Sequence, residues 1–247
     1  MSKIKLIALD MDGTLLNDDG EVTPYTHDVI QQALQRGVEI VLSTGRPLPL
    51  CATFSEELNL SSYIITSNGA EIWTTDHEII ERYPLNAEKI ETLWQLGNER
   101  NLHMWLVATD QIFVNARRPE KFADHEWLKI GYGNLTEATK TDLLNELNNF
   151  KDIEITNSSL TNIEINKFGI NKAYAIETIC KRMDITMDEV MAVGDSLNDF
   201  KMIEQAGIGV AVKNAQQLIL ETADFVTDTN NENGVAKAIE KYILKQE

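Results

Sequence analysis

Short apolar runs alternate with amphipathic stretches along the first and last thirds of the chain. Runs typical of strands buried on both faces occupy residues 4–9, 38–42, 63–65 and 190–193. Between the first two runs, Thr23-Pro24 predicts the start of a helix, and Gly37 predicts its end. This alternation of strand and helix predicts a parallel sheet with right-handed crossover connections.

The same pattern predicts the remaining elements of these two thirds. Further helices are expected at residues 47–58, 172–183, 200–206 and 235–243, and further strands at 208–212 and 225–226.

The middle third, residues 83–168, has a different pattern. Apolar and polar residues alternate in its strand-like stretches, as at 154–156 and 162–165. A period of two predicts an antiparallel sheet with one solvated face. We therefore predict an α+β domain at 83–168, inserted into an α/β domain made of residues 1–82 and 169–247.

The charge of the chain narrows the classes of function. The 247 residues include 22 Lys+Arg and 39 Asp+Glu, for a formal net charge of −17. A nucleic-acid binder needs a basic face, and docking on anionic lipid needs basic residues as well. We therefore expect no nucleic-acid or membrane partner.

The N-terminal sequence, the lengths of the apolar runs and the number of cysteines predict a cytoplasmic protein. Only a short apolar stretch precedes Asp10, which is less than a signal peptide requires, and no apolar run approaches the roughly 20 residues of a membrane span. Cys51 and Cys180 are too few for a disulfide framework.

The first candidate for chemistry is the sequence DMDGT at residues 10–14, directly after the first predicted strand. Ligands of open α/β sheets bind outside the carboxyl ends of the strands. Two carboxylates, Asp10 and Asp12, could there serve as a nucleophile and an acid/base. A polar cap that closes the strand is the alternative interpretation.

Two later segments carry groups that suit a metal and a phosphate. GDSLND at residues 194–199 follows another predicted strand, and Lys172 opens a predicted helix. If Asp10, Asp195 and Asp199 converge to about 5 Å, each pair of like charges costs about 3 kcal/mol, so the cluster favours a cation. Oxygen ligands without a nearby His or Cys indicate Mg²⁺.

These segments, together with STGR at residues 43–46, resemble the motifs of the haloacid dehalogenase-like (HAD) superfamily, in particular its Cof-type subclass IIB phosphatases. SNGA at 67–70 is similar to a loop beside the site in that branch, and residues 209–215 are similar to a later segment. The resemblance covers residues 1–82 and 169–247. It implies a Rossmann-like core with an α/β cap domain at 83–168.

The resemblance also implies a role for each matching residue. Asp10 would attack phosphorus and form an aspartyl phosphate, while Asp12 would protonate the leaving alcohol and then activate water. Thr44, Gly45 and Lys172 would hold the phosphoryl oxygens, and Asn68 and Asn198 would lie beside the substrate. The implied cofactor is Mg²⁺, bound by Asp10, the carbonyl of Asp12, Asp195 and Asp199.

The expected function is hydrolysis of a small phosphate ester such as a sugar phosphate, by a monomer or weak homodimer. A phosphomutase that passes the phosphoryl group to a sugar and a non-catalytic phosphosugar sensor are the alternatives. Cap residues that could set specificity, but that also suit packing or a solvated turn, are Trp105, Asn115, Arg117, Arg118 and His103.

Overall fold

Two β-sheets organise the chain, which the computed structural model describes over residues 4–114 and 117–245. The strands of the larger sheet are β1 (Leu6–Leu9), β2 (Glu39–Ser43), β3 (Tyr63–Thr66), β4 (Glu71–Thr74), β5 (Ile79–Arg82), β11 (Val190–Gly194), β12 (Ile208–Ala211) and β13 (Phe225–Val226). Those of the smaller sheet are β6 (His103–Ala108), β7 (Ile112–Val114), β8 (Trp127–Gly133), β9 (Ile153–Thr156) and β10 (Ile163–Lys167).

The larger sheet has the order β13-β12-β11-β1-β2-β3-β4-β5. From β13 to β3 every neighbouring pair is parallel, as the alternation of strand and helix predicts. The chain winds outward in both directions from β1, so the carboxyl ends of β1, β2 and β11 lie together at a topological switch point. A parallel α/β sheet usually binds its ligand at such a point.

Helices cover both faces of the larger sheet. These helices are α1 (Pro24–Gln35), α2 (Ala52–Glu57), α5 (Lys172–Met183), α6 (Phe200–Gln205), α7 (Gln217–Thr222) and α8 (Gly234–Ile239). The helices α3 (Ala87–Glu99) and α4 (Glu137–Leu147) pack against the smaller sheet instead. Ile7 and Leu9 of β1 pack in the core that includes α1 and α8, and Leu6 and Ala8 in the core that includes α5 and α6. The strand is therefore buried on both faces, which explains its continuous apolar sequence.

The smaller sheet is antiparallel throughout, in the order β7-β6-β8-β10-β9. One face packs against α3 and α4 in a separate hydrophobic core. The domain boundaries at 83–168 stay a prediction. Along the described ranges, we find no helix that combines the length and the apolar character needed to cross a membrane.

The fold differs from the sequence-based expectations in three places. The predicted helix at 47–58 is a 3₁₀ turn at Leu48–Leu50 followed by α2, because Pro47 and Pro49 interrupt the helical pattern. β4 and β5 extend the larger sheet as an antiparallel edge that the pattern did not predict. The second face of the smaller sheet is solvated only in part, since all of β8 is buried while Ile112 and Val114 of β7 are exposed.

Candidate active site

Asp10 lies at the carboxyl end of β1, where the backbone leaves the sheet. Its side chain is buried, and its amide donates to the carbonyl of Val193 in β11. Gly13 turns the chain with a φ of +79°, and a Cβ at this position would lie 3.0 Å from Oδ2 of Asp195. Glycine is favoured here both by the left-handed backbone and by the close approach of that carboxylate.

Asp195 and Asp199 lie in the turn after β11. Thr14 Oγ1 donates to Asp195 Oδ1 at 3.3 Å, and Ser196 Oγ donates to Asp195 Oδ2 at 2.8 Å. The backbone amides of Asp195 and Ser196 both donate to Asp199 Oδ2, at 3.0 and 3.1 Å. The turn therefore orients both carboxylates before any ligand binds.

Lys172 joins Asp10 to Asp199. Its ammonium is fully buried and donates to Asp10 Oδ1 at 2.5 Å and to Asp199 Oδ1 at 2.7 Å. Asn171 caps α5 by accepting from the amide of Tyr174, so Lys172 is the first residue of that helix. A buried ammonium is stable only when carboxylates neutralise it, and Lys172 has two such partners.

The crowding of acids shifts the ionisation of the site. Burial raises the pKa of Asp10 well above its usual range, and the charge of Asp199 raises it further. Burial, followed by the charge of Asp199, raises the pKa of Asp195 to about 6. Burial lowers the pKa of Lys172, but the charges of Asp10 and Asp199 outweigh this effect and raise it. The arrangement therefore favours additional positive charge.

Three of the predicted metal ligands come together. Asp10, Asp195 and Asp199 each present a carboxylate oxygen, and these oxygens lie within 4.8 Å of one another. A cluster that offers only oxygen ligands fits a hard divalent cation such as Mg²⁺. The carboxylate of Asp12, by contrast, is held by an arginine.

We predict that this crowding makes the metal-free protein sensitive to pH. A carboxyl whose pKa is about 6 in the fold and near 4 in the unfolded chain holds its proton more tightly when folded. Raising the pH from about 4 to about 6 should therefore remove up to about 3 kcal/mol of unfolding free energy. The measurement is urea unfolding in EDTA across this range.

Asp195→Asn should flatten this pH dependence, and Asp188→Asn, at an exposed carboxyl before the same strand, should not. A wild-type stability in EDTA that rises from pH 4 to pH 6 would contradict the prediction.

Arg46 forms an ion pair with the carboxylate of Asp12. Nε donates to Oδ2 at 2.9 Å and Nη2 to Oδ1 at 2.5 Å, a two-pronged contact in which both side chains are partly exposed. The guanidinium also donates to the carbonyl of Leu50 and lies over the ring of Phe54. The motif at 43–46 was predicted to bind phosphate, and this contact of its arginine was missed. Each oxygen of Asp12 accepts one hydrogen bond from this guanidinium, so the contact fixes the orientation of the carboxylate.

We predict that Arg46→Lys lowers kcat by about 10- to 100-fold with a small change in KM, because lysine cannot reproduce the planar fork. Steady-state kinetics with one phosphate ester tests this. Arg36→Lys, at the C-terminal end of α1, where the guanidinium donates to the carbonyl of Ile243, is the control. An equal loss in both variants would show that Arg46 does not position Asp12.

The other predicted phosphate and substrate residues lie directly after β2 and β3 and in the turn after β11. Thr44 is buried at the end of β2, and its hydroxyl accepts from the amide of Arg46 at 3.1 Å. Asn68 has a φ of +60° and is reached by the side chain of Asn198, which donates to its Oδ1 at 3.2 Å. A Cβ on Gly45 would lie 3.0 Å from Asn68 Oδ1.

Asn68 also connects the two sheets. Its amide donates to Glu164 Oε2 at 2.7 Å, and Glu164 belongs to β10 of the smaller sheet. Asn166 of the same strand donates to the carbonyl of Ser67 at 2.9 Å. The loop after β3 thereby links the larger sheet to the smaller one directly beside the aspartates.

A cavity of about 410 Å³ lies between the sheets, and Asp10, Asp12 and Asp195 border it on the side of the larger sheet. Two rows of residues on the smaller sheet follow from its strand register. The first row, from β7 to β10, is Val114, Trp105, Gly131 and Glu164. The second, from β7 to β8, is Ile112, Val107 and Lys129. Apart from Gly131, every residue of the two rows borders the cavity.

The wall that these rows form is apolar at one end and charged at the other. Gly131 makes room for an indole, since a Cβ there would lie 2.1 Å from Cζ2 of Trp105. At the charged end, Lys129 Nζ and Glu164 Oε1 are 2.7 Å apart, and both side chains are buried. The cavity can therefore accept a ligand with one apolar or planar part and one strongly polar part.

The predicted specificity residues have different positions. Trp105 borders the cavity, and the His103 ring packs beside it without bordering the cavity. Arg118 pairs with Glu91 and lies over the ring of Trp94, and Arg117 is exposed. Asn115 lies outside the described residues. Lys129 and Glu164 were missed, because charged residues at alternate positions are typical of a solvated face.

The sequence matches the family model of haloacid dehalogenase-like hydrolases over residues 7–142 and 118–239. It is 47% identical over 241 residues to the 5-amino-6-(5-phospho-D-ribitylamino)uracil phosphatase YcsE of Bacillus subtilis, covering 98% of this chain and 96% of that protein. It is 29% identical over 266 residues to the phosphatase YitU of the same organism, which carries the same activity in its name, covering 98% of both chains.

The fold is similar to that of a haloacid dehalogenase-like hydrolase from B. subtilis. That similarity has a TM-score of 0.89 at 25% sequence identity and covers 96% of this chain and 99% of the other.

Proposed function

Because the chain belongs to the haloacid dehalogenase-like hydrolases, we propose that this phosphatase uses Mg²⁺ to hydrolyse the phosphomonoester of a polyol that carries a nitrogen heterocycle. The observation that carries the proposal is the buried Asp10 carboxylate, which lies beside Lys172 and two further aspartates and borders the cavity between the sheets. Two relatives named for a phosphoribitylaminouracil support the choice of substrate class.

In this proposal Asp10 attacks the phosphorus in line and takes the phosphoryl group, and the ester oxygen leaves. Asp12 gives that oxygen its proton and then takes a proton from the water that releases phosphate. Thr44, the amide of Gly45 and Lys172 hold the phosphoryl oxygens. Most of the catalysis is positioning and neutralisation of charge, as is general in phosphoryl transfer.

Asp10, Asp195 and Asp199 would hold Mg²⁺, which would neutralise charge on the phosphoryl group. The three aspartates outnumber the single ammonium of Lys172, so the cluster carries excess negative charge. Without the cation, this charge would repel the negatively charged phosphate ester. Asp12 would add its carbonyl, while its carboxylate contacts Arg46.

Residues 83–168 would act as a cap over the site. The cavity between the sheets supports this, because closure there removes water from the reacting groups. The contact between Asn68 and Glu164 would stabilise the closed arrangement.

Release of inorganic phosphate, measured with Mg²⁺ and with EDTA, tests the proposal. The substrates are 5-amino-6-(5-phospho-D-ribitylamino)uracil, ribitol 5-phosphate and glucose 6-phosphate. We expect release only with Mg²⁺ and the highest kcat/KM for the first ester. A preference for glucose 6-phosphate would contradict the substrate class, and undiminished release in EDTA would contradict the metal.

Failure to release phosphate from any of the three, by folded protein in Mg²⁺, would overturn the hydrolase itself. Transfer of the phosphoryl group to a sugar, dependent on a bisphosphate activator, would then identify a mutase.

A further inference from the structure

Lys129 is a buried cation with unused hydrogen-bond donors. The residue is 3% exposed, and among the described residues its ammonium donates one hydrogen bond, to Glu164 Oε1 at 2.7 Å. An ammonium has three N–H groups, so two of them have no partner within residues 4–114 and 117–245. Donors buried in this way are costly unless a water or a ligand accepts from them.

Asn198 presents the complementary group on the same cavity. Its side-chain amide donates to Asn68, while its Oδ1 is buried and accepts no hydrogen bond from the described residues. Glu164 accepts one hydrogen bond on each oxygen, from Lys129 and from Asn68, and a carboxylate can accept more. The charged end of the cavity therefore offers both free donors and free acceptors.

This end lies next to the loop predicted to bind phosphate. A Cβ on Gly45 would lie 3.4 Å from Lys129 Nζ and 3.5 Å from Glu164 Oε2. A phosphoryl group held at the amide of Gly45 would thus place the first carbons of its ester beside the ion pair.

We propose that Lys129, Glu164 and Asn198 form a subsite for the hydroxyl groups of the leaving polyol, specific for the hydroxyl nearest the phosphoester; this rests on the proposed function. Lys129 donates to the hydroxyl oxygen, and the hydroxyl proton is donated to Glu164 or to Asn198 Oδ1. The apolar end of the wall, at Trp105 and Val107, takes the distal part of the leaving group.

The balance of charge selects a hydroxyl rather than a second anionic group. Glu164 neutralises Lys129, and the aspartates lie across the cavity, so an additional carboxylate or phosphate would find no net positive charge there. A hydroxyl both donates and accepts, and so it satisfies both kinds of free group without adding charge.

The decisive comparison uses the wild-type protein and a series of esters in Mg²⁺. We expect kcat/KM for 4-deoxyribitol 5-phosphate to lie about 10- to 100-fold below that for ribitol 5-phosphate, as for the loss of a hydrogen bond to a charged group. The 2-deoxy ester, which lacks a distal hydroxyl, should lose about threefold or less. Equal losses for the two deoxy esters would overturn the subsite.

A charge-neutral double variant assigns the effect to these residues. K129M/E164Q keeps the volumes and leaves an acceptor for Asn68. Its matched control is K89M/D152N, which removes a partly exposed ion pair within residues 83–168. In K129M/E164Q, we expect kcat/KM for ribitol 5-phosphate to fall about 10- to 100-fold, and that for pentyl phosphate by far less.

Two other results are informative. An equal fall for both esters would show a structural role and overturn the subsite while the hydrolase stands. A wild-type protein that hydrolyses neither ester would overturn the proposed function and this inference with it.

Discussion

Asp10→Asn is expected to lower kcat by at least about 10,000-fold, the scale of losing a nucleophile. The amide has the shape of the carboxylate and cannot attack phosphorus. The fold should persist, because the substitution removes one of three crowded acids and Lys172 keeps Asp199 as its partner. Phosphate release and the melting temperature in EDTA are the two measurements.

The control is Asp19→Asn, which changes the net charge equally at an exposed position nine residues further along the chain. It should behave as wild type. Wild-type phosphate release by Asp10→Asn would refute the mechanism, and a collapse of its melting temperature would refute the inference that the acids strain the metal-free site.

The second large effect is expected for Lys172→Met. The variant leaves Asp10 and Asp199 without their buried cation, and breaking one side of a buried ion pair costs about 3–5 kcal/mol of unfolding free energy. Activity should fall at least about 1,000-fold, because the ammonium that we propose holds the phosphoryl oxygens is lost. Denaturant unfolding and phosphate release measure the two losses.

The matched control is Lys181→Met on the same helix, whose ammonium forms an exposed pair with Glu177. An exposed pair of this kind contributes about 0–1 kcal/mol, so this variant should remain close to wild type in both measurements. A Lys172→Met protein as stable as Lys181→Met would contradict the buried network described above.

The convergence of Asp10, Asp195, Asp199 and Lys172 could be anticipated from the sequence. The acids directly follow strands whose apolar patterns predict a parallel sheet, and neighbouring parallel strands bring their carboxyl ends to one edge. Lys172 was a candidate from its place at the start of a predicted helix, and the motif resemblance implied its role, which no local pattern distinguishes from that of a surface lysine.

The other half of the site depends on tertiary packing. Lys129 and Glu164 are spaced as residues on the solvated face of an antiparallel sheet, and they are buried only because that face lies over the aspartates. The contact between Arg46 and Asp12 spans 34 positions in sequence and involves two loops, so no local pattern predicts it. β4 and β5 escaped prediction because two short strands lack a distinctive period.

The two walls of the cavity come from different stretches of the chain. The groups proposed to handle the phosphoryl transfer lie within residues 10–46 and 172–199, and those that face the leaving group lie mostly within 105–164. Substitutions at the cavity-lining residues of the second stretch leave every group of the first stretch in place. An ancestral enzyme of this architecture could thus acquire a new substrate through substitutions within residues 83–168 alone. Laboratory evolution toward a chosen ester should begin with libraries confined to Trp105, Val107, Ile112, Val114 and Lys129.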